Sequence, residues 1–494
     1  MTHSTYVLAI DIGSSSLRAA LFDGYGRQSG ECIRRGYSLD TDAMGKATLD
    51  ADTLFNDLFG ALDELMSLTP DRLNITGVGI STFWHSLTGI NDRQAATFPI
   101  ITWADGRSAH EAAALKYSGI GRRLHALTGC PVHSSYWPAR LRWLAAQHAT
   151  AFAQTRYWLS AADLLFLRLF GRIGTSVSMA SGSGLCDLNQ KQWSREAIGI
   201  ARIKPEQLPP ISDEPLRGLV APWGERWPRL AAIPWYPAWG DGACSNIGAG
   251  ANSLDSLVLM LGTSGSMRMV WQADSVSVPD AGLWCYRVDD KRFAGGMALS
   301  EGGNAAAWAR QLLDKESAAD IDDRVAALAP DAHGLCVLPY FLGSRSPQWS
   351  EGRTAAISGI TAATTAVEIY RAMLESVGLR FAFLKNRLDR AWPGKRRIIA
   401  TGAGFLRSSV WPQIVADCLG ESLDVSDVEE GSLRGAALLV LEKQGQGGEI
   451  EFPVNRTVYP NSGAHERYKI ALERQADFDN HMIEMLKQRL EELR

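Results

Sequence analysis

Apolar and polar positions at the start of the chain alternate with a strand-like period and then switch to a helical one. Apolar runs near 6–11, 17–23 and 31–37 read as three strands joined by short turns, residues 52–67 carry a helical period, and 75–81 reads as a strand. Hairpin strands followed by a helix and a further strand predict a mixed sheet with helices packed on it. From about 110 to 235 the pattern is less regular, with helical stretches at 139–153 and 161–170. A Pro- and Trp-rich segment at 205–239 follows, and because its prolines sit among apolar residues it reads as an ordered connector.

The opening pattern returns at 257–270. There LVLMLGTSGSMRMV repeats the order of AIDIGSSSLRAALFD at 9–23: apolar strand, glycine and hydroxyl cluster, apolar strand. Gly13 falls against Gly262, Ser14 against Thr263, Ser15 against Ser264, and Arg18 against Arg268 with one inserted residue. Each copy begins a half-chain, which predicts two related domains, 1–245 and 246–494. Gly13, Gly262 and Gly265 are expected to supply the positive φ of tight hairpins, whatever the function. Such turns also expose backbone N–H groups and hydroxyls as an anion-binding concavity, and a pair of them suits a polyphosphate. Neither G-x-x-x-x-G-K-[ST] nor G-x-G-x-x-G occurs to compete for that role. Asp11 has no acidic counterpart in the second copy. It reads either as a turn-capping residue or as a carboxylate beside phosphate, which requires an intervening cation such as Mg²⁺.

Composition narrows the partners. The chain has 494 residues, 46% of them hydrophobic and 21% charged, with a formal net charge of −4, values of a globular protein of more than one domain. The mixed charge offers no basic footprint for nucleic acid, so a small molecule is the expected partner. Seven cysteines, an odd number without C-x-x-C spacing, argue against a disulfide framework or a zinc site and fit a reducing cytoplasm. Asp11 cuts short the apolar YVLAI stretch and no apolar run reaches membrane-spanning length, so a cytosolic protein with no membrane association is expected.

The two hairpins, with WGDGACSNIGAG (239–250), YFLGSRSPQWSEGRTAAISGIT (340–361) and TGAGFLRSSVWPQIVADCLG (401–420), resemble the FGGY carbohydrate kinases of the actin/hexokinase superfamily, over nearly the whole chain and in the family's order. The resemblance implies an α/β protein of two actin/hexokinase-like (ribonuclease H-like) domains, mixed sheets flanked by helices, with ATP and sugar in an interdomain cleft. It implies that Asp241, in GDG, is the general base for the sugar hydroxyl, although an isolated Asp-Gly reads as a turn. Asp11 would organise Mg²⁺. Gly13, Ser14, Ser15 and Arg18 match the first phosphate turn, and Gly262, Thr263, Ser264 and Gly265 the second. Gly402, Ala403, Gly404, Ser408, Trp411 and Gln413 resemble the adenosine motif, with Ala403 where a third glycine is common; Trp411 reads as core and is left out of the site. Gly302 and Gly303 match a family turn and read equally as a helix start.

On the sugar side, ISTFWHSLTGIN (80–91) places Trp84 and His85 after a strand, ITWADGRS (101–108) supplies Trp103, Asp105 and Arg107, and TGCPVHSSYWPARLRWL (128–144) supplies His133 and Arg140. Singly, each reads as a surface or core residue. Together with CYRVDDKRFAGGMALSEGGNAAAW (285–308) they resemble the gluconate-kinase branch more than the xylulose or glycerol branches. Trp84 replaces that branch's usual Met and Arg140 stands where the family signature has Lys. The expected activity is ATP-dependent phosphorylation of a terminal hydroxyl of a sugar or sugar acid, gluconate first, a xylulose-type or other polyol kinase second. A non-catalytic sugar-binding regulator is the rival from another class, disfavoured because it would need neither Asp11 nor Asp241. His85, Arg107, His133 and Arg140 are the cations expected to face a substrate carboxylate. The C-terminal run 466–494 is amphipathic through Ile470, Leu472, Phe478, Met482, Ile483, Met485 and Leu486, and would pack on its own domain or on a partner in a homodimer.

Overall fold

The computed structural model describes residues 5–279, 282–314, 318–350, 352–446, 450, 452 and 454–492. They form two compact units, one of residues 1–253, 270–295 and 430–452, the other of 254–269, 296–429 and 453–494.

The first unit is built on a mixed sheet. Strands β1 (Thr5–Ile12), β2 (Ser16–Asp23) and β3 (Gln28–Gly36) form an antiparallel meander, followed by helix α1 (Ala51–Leu68) and strand β4 (Asn74–Thr82), which runs parallel to β1. A two-residue strand, β5 (Trp239–Gly240), adds parallel to β4, giving the order β5-β4-β1-β2-β3. Asp50 caps α1 by accepting from Thr53 N–H, and α1 buries Leu54, Phe55, Leu58, Leu62 and Leu65 at helical spacing. The run expected at 139–153 is broken at His148 into Trp137–Gln147 and Ala149–Gln154, whereas 161–170 forms one helix with a Ser160/Asp163 capping box.

In the second unit β6 (Ser256–Leu261) pairs antiparallel with β7 (Gly265–Gln272) and parallel with β8 (Arg397–Thr401), and β9 (Leu423–Ser426) and β10 (Val454–Val458) continue the sheet. The repeated pattern is therefore a repeated topology, a hairpin whose first strand has a parallel neighbour. The C-terminal helix Ser462–Glu492 packs on its own unit, against Ala366–Ala391 and Trp411–Leu419. Its buried face is Ala464, Tyr468, Ala471, Gln475 and Asp479, while Ile470 and Met485 of the expected apolar face are exposed. The side chain of Leu486 lies outside the described residues. Polar partners explain that face: Gln475 donates to the Val337 carbonyl, and Asp479 accepts from Tyr340 and Arg353.

The chain returns to the first unit at helix α2 (Gly431–Lys443). Gly77 and Gly79, two apart on β4, let this helix lie directly on the strand, since a Cβ at Gly79 would come within 2.7 Å of the Ala436 carbonyl oxygen.

Candidate functional site

Strand register brings chemistry from distant sequence into one row. Across the first sheet Trp239, Ser81, Asp11, Arg18 and Arg34 are successive cross-strand partners. Asp11 is 3% exposed, its Oδ1 accepting from Ser81 Oγ at 2.7 Å and its Oδ2 from Arg18 Nη1 at 2.8 Å. Burial pushes its carboxyl above the ordinary aspartate range, against the opposing pull of Ser81 and Arg18. One register step on, Ile12, Thr82 and Gly240 are partners, and Asp241 follows Gly240 as the first residue of the helix Asp241–Gly248. The two carboxylates thus stand at the carboxyl ends of parallel strands two spacings apart, roughly 10 Å in backbone separation. The Asp241 Oδ1 accepts from Gly242 N–H at 2.7 Å, and its carbonyl accepts from Ser432 Oγ at 3.3 Å.

The turn after β1 is closed by Gly13 N–H on the Ser16 carbonyl at 2.9 Å, by the Tyr37 hydroxyl on the Gly13 carbonyl, and by Tyr37 N–H on the Ser15 carbonyl at 3.0 Å. Ser14 is half-buried and Ser15 exposed. Contrary to expectation, none of Gly13, Gly262 and Gly265 has positive φ. Their small size serves close packing instead: a Cβ at Gly13 would lie 3.0 Å from the Ser16 carbonyl oxygen, and one at Gly265 only 2.7 Å from Phe381.

The sugar-side segments converge within the first unit. Trp84 is buried, its indole N–H donates to the Ser178 carbonyl at 3.1 Å, and its ring fills the space that a Cβ at Gly240 or Gly182 would need. It is thus the packing surface behind Asp241, which accounts for the glycine preceding the acid. His85 has a φ of 69°, a strained value for a non-glycine residue. Its Nδ1–H donates to the Gly182 carbonyl at 2.5 Å. The Nδ1 of His133 lies 3.2 Å from Ser135 N and 3.0 Å from Ser135 Oγ. Ser135 Oγ donates to the Trp103 carbonyl at 2.8 Å, joining those two segments. Tyr136 and Tyr286, not singled out from the sequence, pack edge-on to His85, and their hydroxyls lie 2.5 Å apart. Both lie in segments already implicated, but only the fold brings position 286 beside 85 and 136.

Two expected substrate cations have other partners. Asp105, 2% exposed, accepts from Ala47 N–H at 2.9 Å and from Arg107 Nη2 at 2.7 Å, fixing the guanidinium plane, which also lies over Trp143. Arg140, 1% exposed, donates to the carbonyls of Ser134 (2.8 Å), His85 (2.5 Å) and Thr102. It is an anchor that ties together the three sugar-side segments, and burial pushes its pKa down to about 10.

In the second unit three turns meet at the end of β6. Gly303 N–H donates to the Gly262 carbonyl at 2.8 Å and Asn304 N–H to the Thr263 carbonyl at 3.1 Å, so Gly302 and Gly303 both begin the helix Gly303–Arg310 and back the second hairpin. Gly402 has a φ of 101°, and a Cβ there would lie 2.5 Å from the Leu261 carbonyl oxygen; Gly404 packs on the same residue. Thr263 and Ala403 are exposed and Ser264 half-buried, so the two glycine turns leave small residues open at the end of β6. Ser408 Oγ donates to Asp322 Oδ2 at 3.0 Å and accepts from the N–H of Trp411, the first residue of the next helix, at 3.1 Å. Trp411 is buried, its indole on the Leu374 carbonyl, and Gln413 is bonded to Asp417. The register overturns one sequence match: Met260, two residues before Gly262, stands in the place of Asp11 and pairs with Ser266, while Arg268 pairs with Val258 farther down the hairpin.

Among the described residues Asp331, His333 and Glu375 come close enough to share an ion. They are already engaged: His333 Nδ1 accepts from Leu335 N–H, Glu375 takes His333, Arg371 and Tyr468, and Asp331 pairs with Arg474, so the group reads as an ion-pair network. All seven cysteines are free thiols. No described helix is long and apolar enough to cross a membrane.

Comparison with known proteins supplies the context. The chain matches the FGGY family of carbohydrate kinases, N-terminal domain, over residues 6–248, and the C-terminal domain over residues 257–441. It is 28% identical to a gluconokinase of Bacillus licheniformis, covering 90% of this chain and 88% of that protein, and 25% identical to a xylulose kinase of Lactococcus lactis, covering 88% and 87%. Structures titled gluconate kinase and xylulose kinase from Lactobacillus acidophilus each superpose with a TM-score of 0.90 at 24% identity, covering 97% of this chain and 98% of theirs, a likeness of fold.

Proposed function

The chain belongs to the FGGY family of carbohydrate kinases, an ATP-dependent sugar phosphotransferase, and from that premise we propose that it phosphorylates a terminal hydroxyl of a sugar acid, gluconate first. The observation that carries the site assignment is the shared edge of Asp11 and Asp241, with Trp84 packed behind Asp241 and His85 packed on Tyr136 and Tyr286 in the same unit. A polyol offers hydroxyls that both donate and accept, and imidazole and phenol side chains such as those of His85, His133, Tyr136 and Tyr286 can pair with either role.

In this reading Asp241 accepts the proton of the attacking hydroxyl as the new oxygen–phosphorus bond forms and the bond from the γ-phosphorus to the bridging oxygen breaks, releasing ADP. The backbone of Gly13 to Ser15 with the Arg18 side chain, and the backbone of Gly262 to Gly265, are assigned to the phosphates, and Gly402 to Gly404 with Ser408 to the adenosine end. Asp11 is the side chain that would hold Mg²⁺; its isolation from water beside Ser81 and Arg18 suits a hard cation that offsets the buried charge. When bound, that ion neutralises charge on the transferring phosphoryl group. Trp84 and Arg140 act by position, the one behind Asp241 and the other under the sugar-side turns. Arg107, oriented by Asp105, and His133 are assigned to the substrate carboxylate.

ADP release measured across gluconate, xylulose and glycerol tests the reading. Gluconate is expected to lead in kcat/KM by at least roughly tenfold. Xylulose in first place, as the 25% identical xylulose kinase makes a specific alternative, would overturn the sugar-acid assignment and leave the kinase standing. ADP release that no sugar stimulates would favour a binding protein.

A further inference from the structure

Glu430 lies where the chain crosses from the second unit into the first, as the residue that precedes α2. Its Oε2 is 3.0 Å from Arg18 Nε, and its Oε1 is paired with Arg34 Nη2. Arg18 and Arg34 are direct cross-strand partners, so two like charges stand side by side on one face of the sheet. Glu430 bridges them, and with Asp11 it brings the group of two arginines and two carboxylates to neutrality.

The backbone under this carboxylate is fixed. A Cβ at Gly435 would lie 1.9 Å from the Cys244 carbonyl oxygen, and one at Gly248 would lie 2.0 Å from that of Gly431, so α2 and the Asp241 helix touch backbone to backbone. Ser432, two residues on, bonds the Asp241 carbonyl. The side chain of Glu430, 17% exposed, is therefore held over Arg18 by a rigid support and can move only about its own torsions.

We propose that Glu430 is a built-in competitor for the phosphate-binding arginine: its carboxylate takes the Arg18 guanidinium in the nucleotide-free chain, and nucleotide phosphate displaces it onto Arg34. This rests on the assignment of Arg18 to the phosphates in the proposed kinase. A phosphate oxygen and the Glu430 carboxylate seek the same donor and repel each other, so Arg18 serves the nucleotide only when Glu430 has withdrawn. Arg34, 57% exposed and one strand farther out, is the alternative partner that makes withdrawal inexpensive in energy. Glu430 is thus a positioning residue, setting nucleotide affinity through Arg18.

The test is calorimetric binding of Mg·ATP and of inorganic tripolyphosphate to the full chain and three variants. Glu430→Gln removes the competitor and is expected to tighten both ligands roughly threefold to fivefold, the scale of a part-exposed ion pair. Arg34→Gln leaves Glu430 with Arg18 alone and is expected to weaken both by a similar factor. Both substitutions break the same Glu430–Arg34 pair, so a purely structural role predicts shifts of the same sign or none, and either result overturns the proposal. If Glu430→Gln does not fold, as judged by its melting curve, Glu430→Asp, too short to span both arginines, takes its place with the same expected direction. Arg18→Gln separates the two readings. Weaker binding there without tightening in Glu430→Gln sinks the competitor alone, whereas unchanged binding in Arg18→Gln sinks the phosphate assignment of Arg18 and the competitor with it.

Discussion

The two hairpins share a topology and differ in what their rows of cross-strand partners carry. In the first unit the row is Ser81, Asp11 and Arg18; in the second it is Thr401, Met260 and Ser266. The first is an acid held between a hydroxyl and a guanidinium, while the second is a thioether between two buried hydroxyls that bond no protein atom among the described residues. One scaffold has been given charge on one side and backbone surface on the other. The second turn keeps its glycines packed against Phe381 and Gly303, whereas the first holds a carboxylate fixed between two donors.

The contrast is broken most severely at Asp241, which has no acid like it in the second unit's row. Asp241→Asn keeps the packing against Trp84 and removes the base, so turnover is expected to fall by about 10²–10⁴, with nucleotide binding largely kept. Single-turnover kinetics beside ATP calorimetry checks the split, and near-normal turnover would end the assignment.

Glu301 is a buried acid of the second unit, 2% exposed, its carbonyl oxygen close under Gly265. Burial pushes its pKa up to about 7, with Arg380, 3.7 Å away, only partly opposing this. A folded-state pKa above the unfolded value means that its contribution is intact below about 4.5 and is lost as pH rises through 7. Glu301→Gln should therefore stabilise the protein at pH 8 by up to about 3 kcal/mol and change little at pH 4.5. Urea melts at the two pH values read the difference, and an equal effect at both would show the acid to be already neutral or otherwise paired.

Asp11→Asn should lower kcat/KM by roughly tenfold to a hundredfold and move the magnesium titration to higher concentration, so that added magnesium partly restores activity. Lost activity without a shifted titration would make Asp11 a structural turn residue. The smallest and sharpest contrast pairs the row's hydroxyls. Ser81→Ala removes a bond that orients Asp11 and should cost roughly tenfold in activity. Thr401→Val deletes a hydroxyl that bonds no protein atom among the described residues and should alter stability by less than about 0.5 kcal/mol. Equal effects would mean that the two rows are not specialised as described.

Much of the site was legible as residue type and spacing. The strands and helix of the first eighty residues follow from apolar period, the repeated glycine-hydroxyl turns were visible as text, and the resemblance carried by GDG and TGAG led to Asp241 and the Gly402 turn. Period and turn chemistry are local, so they survive in one dimension. Other features were misread because they depend on distance in space. Gly13, Gly262 and Gly265 are small to admit neighbours, a fact about Ser16, Phe381 and Met260 rather than about φ. The match of Arg18 to Arg268 dissolved once hairpin register set Ser266 in that place. Arg140 looked like a cation awaiting a carboxylate, and three backbone carbonyls from separate segments claim it instead.

What the sequence alone determined is therefore the class of chemistry expected: two glycine-hydroxyl turns, the acids Asp11 and Asp241, and sugar-side segments rich in His, Trp, Asp and Arg. Only the tertiary structure decided which charges meet. Ser81 and Glu430 are 70 and 419 residues from Asp11 along the chain, and nothing local to either marks it as a partner of the Asp11–Arg18 pair. Strand pairing at about 4.8 Å and glycine-to-backbone helix contact put them there, because register and close packing act between segments that the chain keeps far apart.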